Sequence, residues 1–226
     1  MIIDVGSNLG YYGLKASGEN VGVAVVSMEP EPSTAERQRR LLEEHGTTRI
    51  CLIEGAVDAA VSTQWAETCD WFELTLLLAV LHWTDDPGRV VRALSSMSGV
   101  LIAEVPDSGD RGACGQSQLQ QCADPIAWFR EHTGRNVTHL GMVPRHTSSV
   151  PSHVIMISGP ISREPTVPYW DYTLRTVRSA TRGLATPRHA RCHFTRPGRG
   201  SGPNARRGAH PRFLDVSRAD LTRLLR

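Results

Sequence analysis

Residues 1–13, MIIDVGSNLGYYG, constrain the fold more than any other stretch of the chain. Apolar residues lead into Asp4, and glycines follow at positions 6 and 10. This order predicts a strand, a tight glycine turn and then a helix. Gly6 has no Cβ, so the backbone there can turn sharply or lie close to a ligand. The start of the helix presents backbone N–H groups, and Asp4 stands at the carboxyl end of the strand, where open α/β sheets bind their ligands.

A second apolar run, residues 21–28, ends at Glu29. An acidic residue roughly 20 positions after a glycine turn is placed to accept hydrogen bonds from ribose hydroxyl groups. Taken alone, the turn fits a dinucleotide, a nucleoside or no ligand at all. The second acid, Glu31, is interpreted as a solvated strand end.

The third strong signal is the continuous apolar run over residues 72–80. Continuous apolarity, rather than alternation, indicates a strand that is buried on both faces, as in a parallel sheet covered by helices. Asp86 can cap the next helix, with Pro87 at its first position. A further strand is predicted over residues 100–105.

In these motifs the chain resembles the class I S-adenosylmethionine-dependent methyltransferases. The segment IIDVGSNLGYYGLKA is similar to their first motif, VVSMEPEP to their second, and FELTLLLAVLHWTDDPGRVVRALSSMSGVLIAEVP to their fourth strand through their fifth. The element MEPEP resembles the FkbM-type subgroup, and LLLAVLHWTDDP resembles the small-molecule methyltransferases. Asn8 stands where many members carry a glycine, and the sequence starts in the first strand without the helices that usually cover the cofactor.

The resemblance implies a three-layer, Rossmann-like sheet of about seven strands, with the last strand antiparallel. The predicted strands are 2–5, 22–28, 49–54, 72–80, 100–105, 136–143 and 153–158. The predicted helices are roughly 10–17, 34–45 with Ser33 as its cap, 59–67, the one that Pro87 opens, and 118–132, where Asp124 and Pro125 can break or restart the helix.

Charge divides the chain into an acidic body and a basic tail. Residues 1–171 carry 12 Lys and Arg against 21 Asp and Glu, whereas residues 172–226 carry 13 Arg against 2 acids. We therefore predict a cofactor-binding domain over residues 1–160, a linker with a helix over 161–184, and a largely disordered basic tail with a short terminal helix over 185–226. The tail's arginines could bind the phosphates of nucleic acid, but a solvated tail is favoured.

Cysteine spacing and hydropathy indicate a cytoplasmic protein. The 5 cysteines show neither a CxxC pair nor zinc-ligand spacing, which is typical of a reduced chain. No apolar run approaches a membrane span, and no signal peptide is visible. His189, Cys192 and His193 cluster in the basic tail without a fourth partner, so we expect no metal site.

The resemblance implies a role for each residue of the first motifs. Gly6, Asn8 and Gly10 would lie against the cofactor, S-adenosylmethionine, and Asp4 would orient the turn or meet the cofactor's ammonium group through water. Glu29 would bind both ribose hydroxyl groups. Asp58, with Val57 beside it, would face the adenine ring, or else Asp58 would cap the following helix.

Candidate catalytic residues follow the fourth and fifth strands. His82 is the first candidate for a general base, because imidazoles exchange protons near neutral pH; the alternative is a histidine that only packs. Asp107 is the second candidate. Trp83 would wall the pocket or belong to the core, and His146 and His153 flank the last hairpin as surface histidines.

Two functions from different classes remain open on the sequence. The first is a methyltransferase that acts on an oxygen or nitrogen atom of a small molecule or glycan. The second is a non-catalytic nucleoside-binding domain that its basic tail tethers to nucleic acid or to a partner. Gly6, Gly10 and Glu29 favour the first; Asn8 and the lack of a compelling base keep the second open.

Overall fold

A computed structural model describes residues 1–19, 23–68, 71–107, 124–144 and 150–159. Its strands are β1 (Ile2–Val5), β2 (Val25–Glu29), β3 (Ile50–Glu54), β4 (Phe72–Leu78), β5 (Ser98–Pro106), β6 (Asn136–Val143) and β7 (Ser152–Ser158). Its helices are α1 (Tyr11–Glu19), α2 (Pro32–Glu44), α3 (Ala59–Thr68), α4 (Pro87–Ser96) and α5 (Pro125–Thr133), and a 3₁₀ turn spans Leu81–Trp83.

The strands form one sheet in the order β3-β2-β1-β4-β5-β7-β6. Strands β1 to β5 pair in parallel, and β7 runs antiparallel to both β5 and β6. The predicted seven-stranded sheet with an antiparallel last strand is therefore confirmed. The strand order reverses between β1 and β4, and open α/β sheets bind ligands outside the carboxyl ends of their strands at such a point.

Helices cover the sheet on both faces. One core cluster joins α3, α4 and α5 to side chains such as Ile3, Leu77 and Leu101, which are almost fully buried. The other cluster joins α1 and α2 to Val25, Leu52 and further side chains on the opposite face. Strand β4 sits in the middle of this three-layer arrangement, which explains why its sequence is apolar without alternation.

Side-chain caps set the starts of three helices. Asp86 accepts from the Arg89 backbone N–H at 2.9 Å, and Asp124 accepts from two backbone N–H groups at 3.0 and 3.1 Å, so α4 and α5 begin at the prolines that follow. The restart predicted at Asp124 is thus confirmed, and residues 118–123 lie outside the described part. The prediction that Ser33 caps α2 was wrong. Glu31 caps that helix instead, because Pro32 has the fixed φ that suits a first helical position.

Arg135 anchors the antiparallel strand to the rest of the sheet. Its guanidinium donates to the backbone carbonyls of Ser95, Ser98 and Gly99 at 2.6 to 2.8 Å, and to that of Gly159 at 3.2 Å. These carbonyls belong to the end of α4, the start of β5 and the residue after β7. The side chain is buried, and this burial lowers the pKa of the guanidinium from its usual value. Arg135 therefore fixes where β7 lies.

The linker and the basic tail, residues 161–226, lie outside the described residues. Within the described ranges, no helix combines the length and the apolarity that crossing a membrane requires.

Candidate ligand site at the carboxyl edge of the sheet

The turn after β1 requires glycine at two positions. Gly6 and Gly10 have φ angles of +69° and +78°, in the left-handed region that L side chains rarely adopt. A Cβ at Gly6 would come within 2.4 Å of the Val80 Cγ2 atom, and a Cβ at Gly10 within 2.4 Å of the Gln38 Nε2 atom. At both positions, glycine is therefore required by the left-handed backbone conformation and by the lack of space for a Cβ atom.

Asn8 completes this turn. Its φ is +51°, and asparagine adopts the left-handed region more readily than most residues. Asn8 therefore allows the left-handed turn conformation without a glycine at this position. Backbone bonds hold the turn in place, from Ser7 N–H to the Met28 carbonyl and from Gly10 N–H to the Ser7 carbonyl, both at 2.8 Å.

Glu29 ties the turn to the end of β2. One carboxylate oxygen accepts from the Asn8 backbone N–H at 2.8 Å, and the other accepts from the Glu31 N–H at 3.0 Å. The residue is only 6% exposed. A carboxylate offers about four acceptor positions, so these two bonds leave Glu29 capacity for a ligand's hydroxyl groups.

Asp4 is a buried carboxylic acid on the same sheet face as Glu29. It is 2% exposed, and burial, with a further contribution from the charge of Glu29, raises the pKa of Asp4 to about 7. Its Oδ2 atom has no hydrogen-bond partner among the described residues. A buried polar atom without a partner costs free energy, which a ligand or a water with a donor group would recover.

Two further polar groups, Tyr12 and Glu104, approach this face, and no sequence motif identifies them. Burial raises the pKa of the Tyr12 hydroxyl group, and the negative charges of Glu104 and Asp4 raise it further. Glu104 lies on β5 opposite Leu78 of β4. The carboxyl groups of Asp4 and Glu104 thus place negative charge next to the Tyr12 hydroxyl group, which favours a positively charged ligand group there.

Asp58 caps α3. Its side chain accepts from the Val61 backbone N–H at 2.8 Å, so the capping alternative is confirmed. Its other predicted role, beside the adenine ring, stays a prediction. Val57 precedes it and is buried, and Asp85, from the loop after β4, accepts from the Ala59 N–H at 3.2 Å.

The loop after β4 places His82 and Trp83 at the edge of the crevice. His82 is 6% exposed, and its ring centroid lies 5.2 Å from that of Trp83. Trp83 is 67% exposed, so the interpretation of Trp83 as a core residue was wrong. The base role of His82 stays a prediction.

Asp107 follows β5 and lies near a histidine of β7. His153, at the start of β7, places its Nε2 atom 3.3 Å from the Asp107 Oδ2 atom. His139 of β6 lies on the other side of His153. His153 is therefore part of a polar cluster and not an isolated surface histidine, while His146 lies outside the described residues.

Across the described ranges, no three side chains of His, Cys, Asp or Glu converge as metal ligands would. The cysteine at position 51 is buried in the core. The tail cluster of His189, Cys192 and His193 is not part of the described residues.

Comparison with known proteins supports the fold. No protein-family model matches the chain, and no curated protein matches it in sequence. Among solved structures, a 2.2 Å crystal structure of WbdD is similar with a TM-score of 0.57 and 20% identity, over 70% of this chain and 35% of that one. WbdD is a bifunctional kinase-methyltransferase. This chain thus spans about a third of the length of WbdD.

A second similar structure is the N-terminal domain of EvdMO1 with SAH bound. It has a TM-score of 0.54 and 15% identity, over 70% of this chain and 74% of that one. Together with the strand order, these similarities show that the chain has the Rossmann-like fold of the class I methyltransferases. The finer resemblance to the FkbM-type subgroup stays a prediction.

Proposed function

We propose that the protein is an S-adenosylmethionine-dependent methyltransferase that acts on an oxygen or nitrogen atom of a small molecule or glycan. The observation that carries the proposal is the joint between β1 and β2, where a left-handed glycine turn is hydrogen-bonded to the carboxylate of Glu29. This joint lies beside the point where the strand order reverses, which is where a fold of this kind binds its ligand.

The residues of the joint suit the parts of this cofactor. Glu29 would accept hydrogen bonds from the ribose hydroxyl groups, and Gly6 and Gly10 would let the backbone approach closely. Asp4 has a buried oxygen atom without a described partner, which suits the cofactor's ammonium group directly or through water. The negative potential around Tyr12 also suits the cofactor's sulfonium charge.

In this reaction the protein mainly has to bind and align the two reactants. S-adenosylmethionine supplies an already activated methyl group, and the acceptor atom displaces it in line. The protein has to hold the two reactants in the attacking geometry and exclude water. His82 and Asp107 are the two candidates that could take the acceptor's proton at the carboxyl ends of β4 and β5.

One similar structure bears on the class of the acceptor. One EvdMO1 structure was obtained in the presence of SAH and D-fucose, which is consistent with a sugar hydroxyl as an acceptor here too. We propose a small molecule or glycan for this chain, with no membrane partner and with nucleic acid not favoured. The protein would act in the cytoplasm.

Calorimetric titration with S-adenosylmethionine and with S-adenosylhomocysteine tests the proposal. We expect both ligands to bind, and we expect mass spectrometry of candidate acceptors to reveal products heavier by one methylene group. Binding without any turnover would instead support the non-catalytic nucleoside-binding domain. The absence of binding by either ligand would contradict both functions.

A further inference from the structure

Asp107, which follows β5, His153 of β7 and His139 of β6 form a chain of contacts beyond the cofactor joint, and we name them the Asp–His–His cluster. The Asp107 Oδ2 atom lies 3.3 Å from the His153 Nε2 atom, and the His153 Nδ1 atom lies 3.2 Å from the His139 Nε2 atom. The two imidazole rings are tilted by 51°, with centroids 5.2 Å apart. Both nitrogen atoms of His153 are therefore engaged.

The sheet topology brings these residues together. Asp107 directly follows β5, and His153 pairs with Val105 of that strand. His139 lies on β6, where it pairs with Ile155, two residues after His153 on β7. Because side chains alternate along a strand, His153, Ile155 and His139 share the sheet face covered by α3 to α5.

The strand order shows which member of the cluster lies nearest to the carboxyl end of β4. Neighbouring strands lie about 4.8 Å apart, and β5 separates β4 from β7. Asp107 is thus the member nearest to the end of β4. The side chain of Asp107 is 34% exposed, against 19% for His153. A ligand above the end of β4 would therefore meet Asp107 first.

Hydrogen-bond donors and acceptors fix the state of the cluster. An ionised carboxylate only accepts, so His153 carries its hydrogen on Nε2 when it donates to Asp107. When His153 is neutral, its Nδ1 atom is then an acceptor, and His139 donates to it from Nε2. A neutral imidazole can orient a carboxylate without the full opposite charge that would reduce its proton affinity.

We propose that Asp107 is the group that takes the proton of an acceptor hydroxyl group, and that His153 and His139 are positioning residues that hold Asp107 for this task. This inference rests on the proposed methyltransferase function. It favours Asp107 over His82, since His82 is 6% exposed. The 3.3 Å contact is long for a hydrogen bond, and such contacts tighten when a catalytic complex forms.

The proton transfer balances with the methyl transfer. The acceptor oxygen forms a bond to the methyl carbon as the carbon–sulfur bond breaks, and that electron pair stays on sulfur. The hydroxyl proton moves to the Asp107 carboxylate, which becomes a neutral carboxylic acid and later loses the proton to water. The imidazoles keep their own protons throughout and serve to orient the carboxylate.

Nuclear magnetic resonance of protein with ¹⁵N-labelled histidine tests the arrangement without reference to activity. We expect His153 and His139 both to carry hydrogen on Nε2, with a scalar coupling across the hydrogen bond between the two rings. A hydrogen on Nδ1 of His153, or two rings without coupling, would overturn the proposal. Tight Zn²⁺ binding that His139→Gln abolishes would also overturn it, because the imidazoles would then form a cation site.

Turnover separates the roles of the three residues. The probe is methyl-labelled S-adenosylmethionine with D-fucose, D-glucose, D-galactose and D-mannose as acceptors, and product is measured by mass spectrometry. We expect Asp107→Asn to lower kcat by about 10²–10⁴-fold without changing cofactor affinity. His153→Gln keeps a donor and should retain far more activity than His153→Leu. His45→Gln, at an exposed histidine that ends α2, is the control.

Each other outcome has a distinct meaning. Wild-type turnover in Asp107→Asn, or equal losses in His153→Gln and His153→Leu, would overturn the roles assigned to the cluster. A wild-type protein that binds the cofactor and methylates none of the sugars would overturn the hydroxyl-acceptor inference. Turnover of amine acceptors would then show a methyltransferase acting on nitrogen, and its absence would support the non-catalytic domain. A failure to bind the cofactor would instead overturn the proposed function.

Discussion

Backbone groups make the decisive contacts at the β1–β2 end of the carboxyl edge, whereas side chains make them at the β5–β7–β6 end. In the first region, Glu29 accepts hydrogen bonds from two backbone N–H groups. All the residues involved belong to the consecutive elements from β1 to the start of α2. In the second, Asp107, His139 and His153 meet only because three strands align. The first region can therefore be recognised from a local motif, and the second depends on the register of the sheet.

The largest expected effect is on the stability of the strands that carry the second region, through Arg135, which binds the start of β5 and the residue after β7 at the opposite edge of the sheet. Arg135→Met would leave several buried carbonyls without their donor, which should lower the free energy of unfolding by about 3–5 kcal/mol in urea titrations. Arg130→Met, at an exposed arginine on the same helix–strand segment, should change it by no more than about 0.5 kcal/mol. Equal effects of the two variants would show that Arg135 does not anchor β7.

The second largest effect is expected from a substitution at Gly6, which disrupts the turn of the first region. Gly6→Ala combines a φ of +69° with a Cβ only 2.4 Å from the Val80 side chain, so the turn must move. We expect S-adenosylmethionine affinity in calorimetry to fall by roughly 100-fold or more, since about 2.7 kcal/mol corresponds to that factor.

Gly46→Ala is the matched control for this substitution. Gly46 has a φ of +60°, but an added Cβ there meets nothing within 4 Å. It shares the backbone strain without the collision and should bind the cofactor as the wild type does. A similar loss of affinity in both variants would mean that backbone strain, and not the shape of the turn, causes the effect.

Glu29→Ala should weaken the cofactor less than the Gly6 change, by roughly tenfold or more. It removes an acceptor for the ribose hydroxyl groups, and a hydrogen bond to a charged group contributes about 1.5–3 kcal/mol. Calorimetry measures the change, and circular dichroism confirms that the fold persists. Unchanged affinity in a folded variant would place the ribose elsewhere.

The smallest effect is a pH dependence from Asp4. The pKa of Asp4 is raised to about 7, so Asp4 is neutral below that pH and negative above it. A positively charged ligand prefers the negative form, so S-adenosylmethionine affinity should rise several-fold between about pH 6 and about pH 8. Asp4→Asn should flatten this dependence, and S-adenosylhomocysteine, which keeps the ammonium group, should show the dependence as well. An opposite slope would contradict the assignment of Asp4.

Much of the fold could be predicted because its signals are local. Strands β1 and β6 have the predicted bounds, and β4 follows from its continuous apolar run. The error at the start of α2 is also local, since Ser33 and Glu31 are both plausible caps and Pro32 decides between them. The glycines of the first turn were identified because few other residues adopt their conformation.

The rest of the site depends on which face each side chain occupies. In β6, the pairing register shifts between His139 and Gly141, so alternation along the sequence does not give the face of the residues beyond that shift. Likewise, Tyr12 of α1 approaches Asp4 and Glu104 only through the packing of α1 on the sheet. No sequence pattern predicts the register shift or the packing of α1, which is why the sequence analysis did not identify His139, Tyr12 and Glu104 as site residues.

The central claim is that the cofactor binds at the joint between β1 and β2. A crystal structure of the protein with S-adenosylhomocysteine tests it most directly. We predict that the ribose hydroxyl groups lie within hydrogen-bonding distance of Glu29 and that the amino acid part lies over Gly6, near Asp4. A ligand bound away from this joint, with Glu29 and Asp4 not in contact with it, would contradict the account.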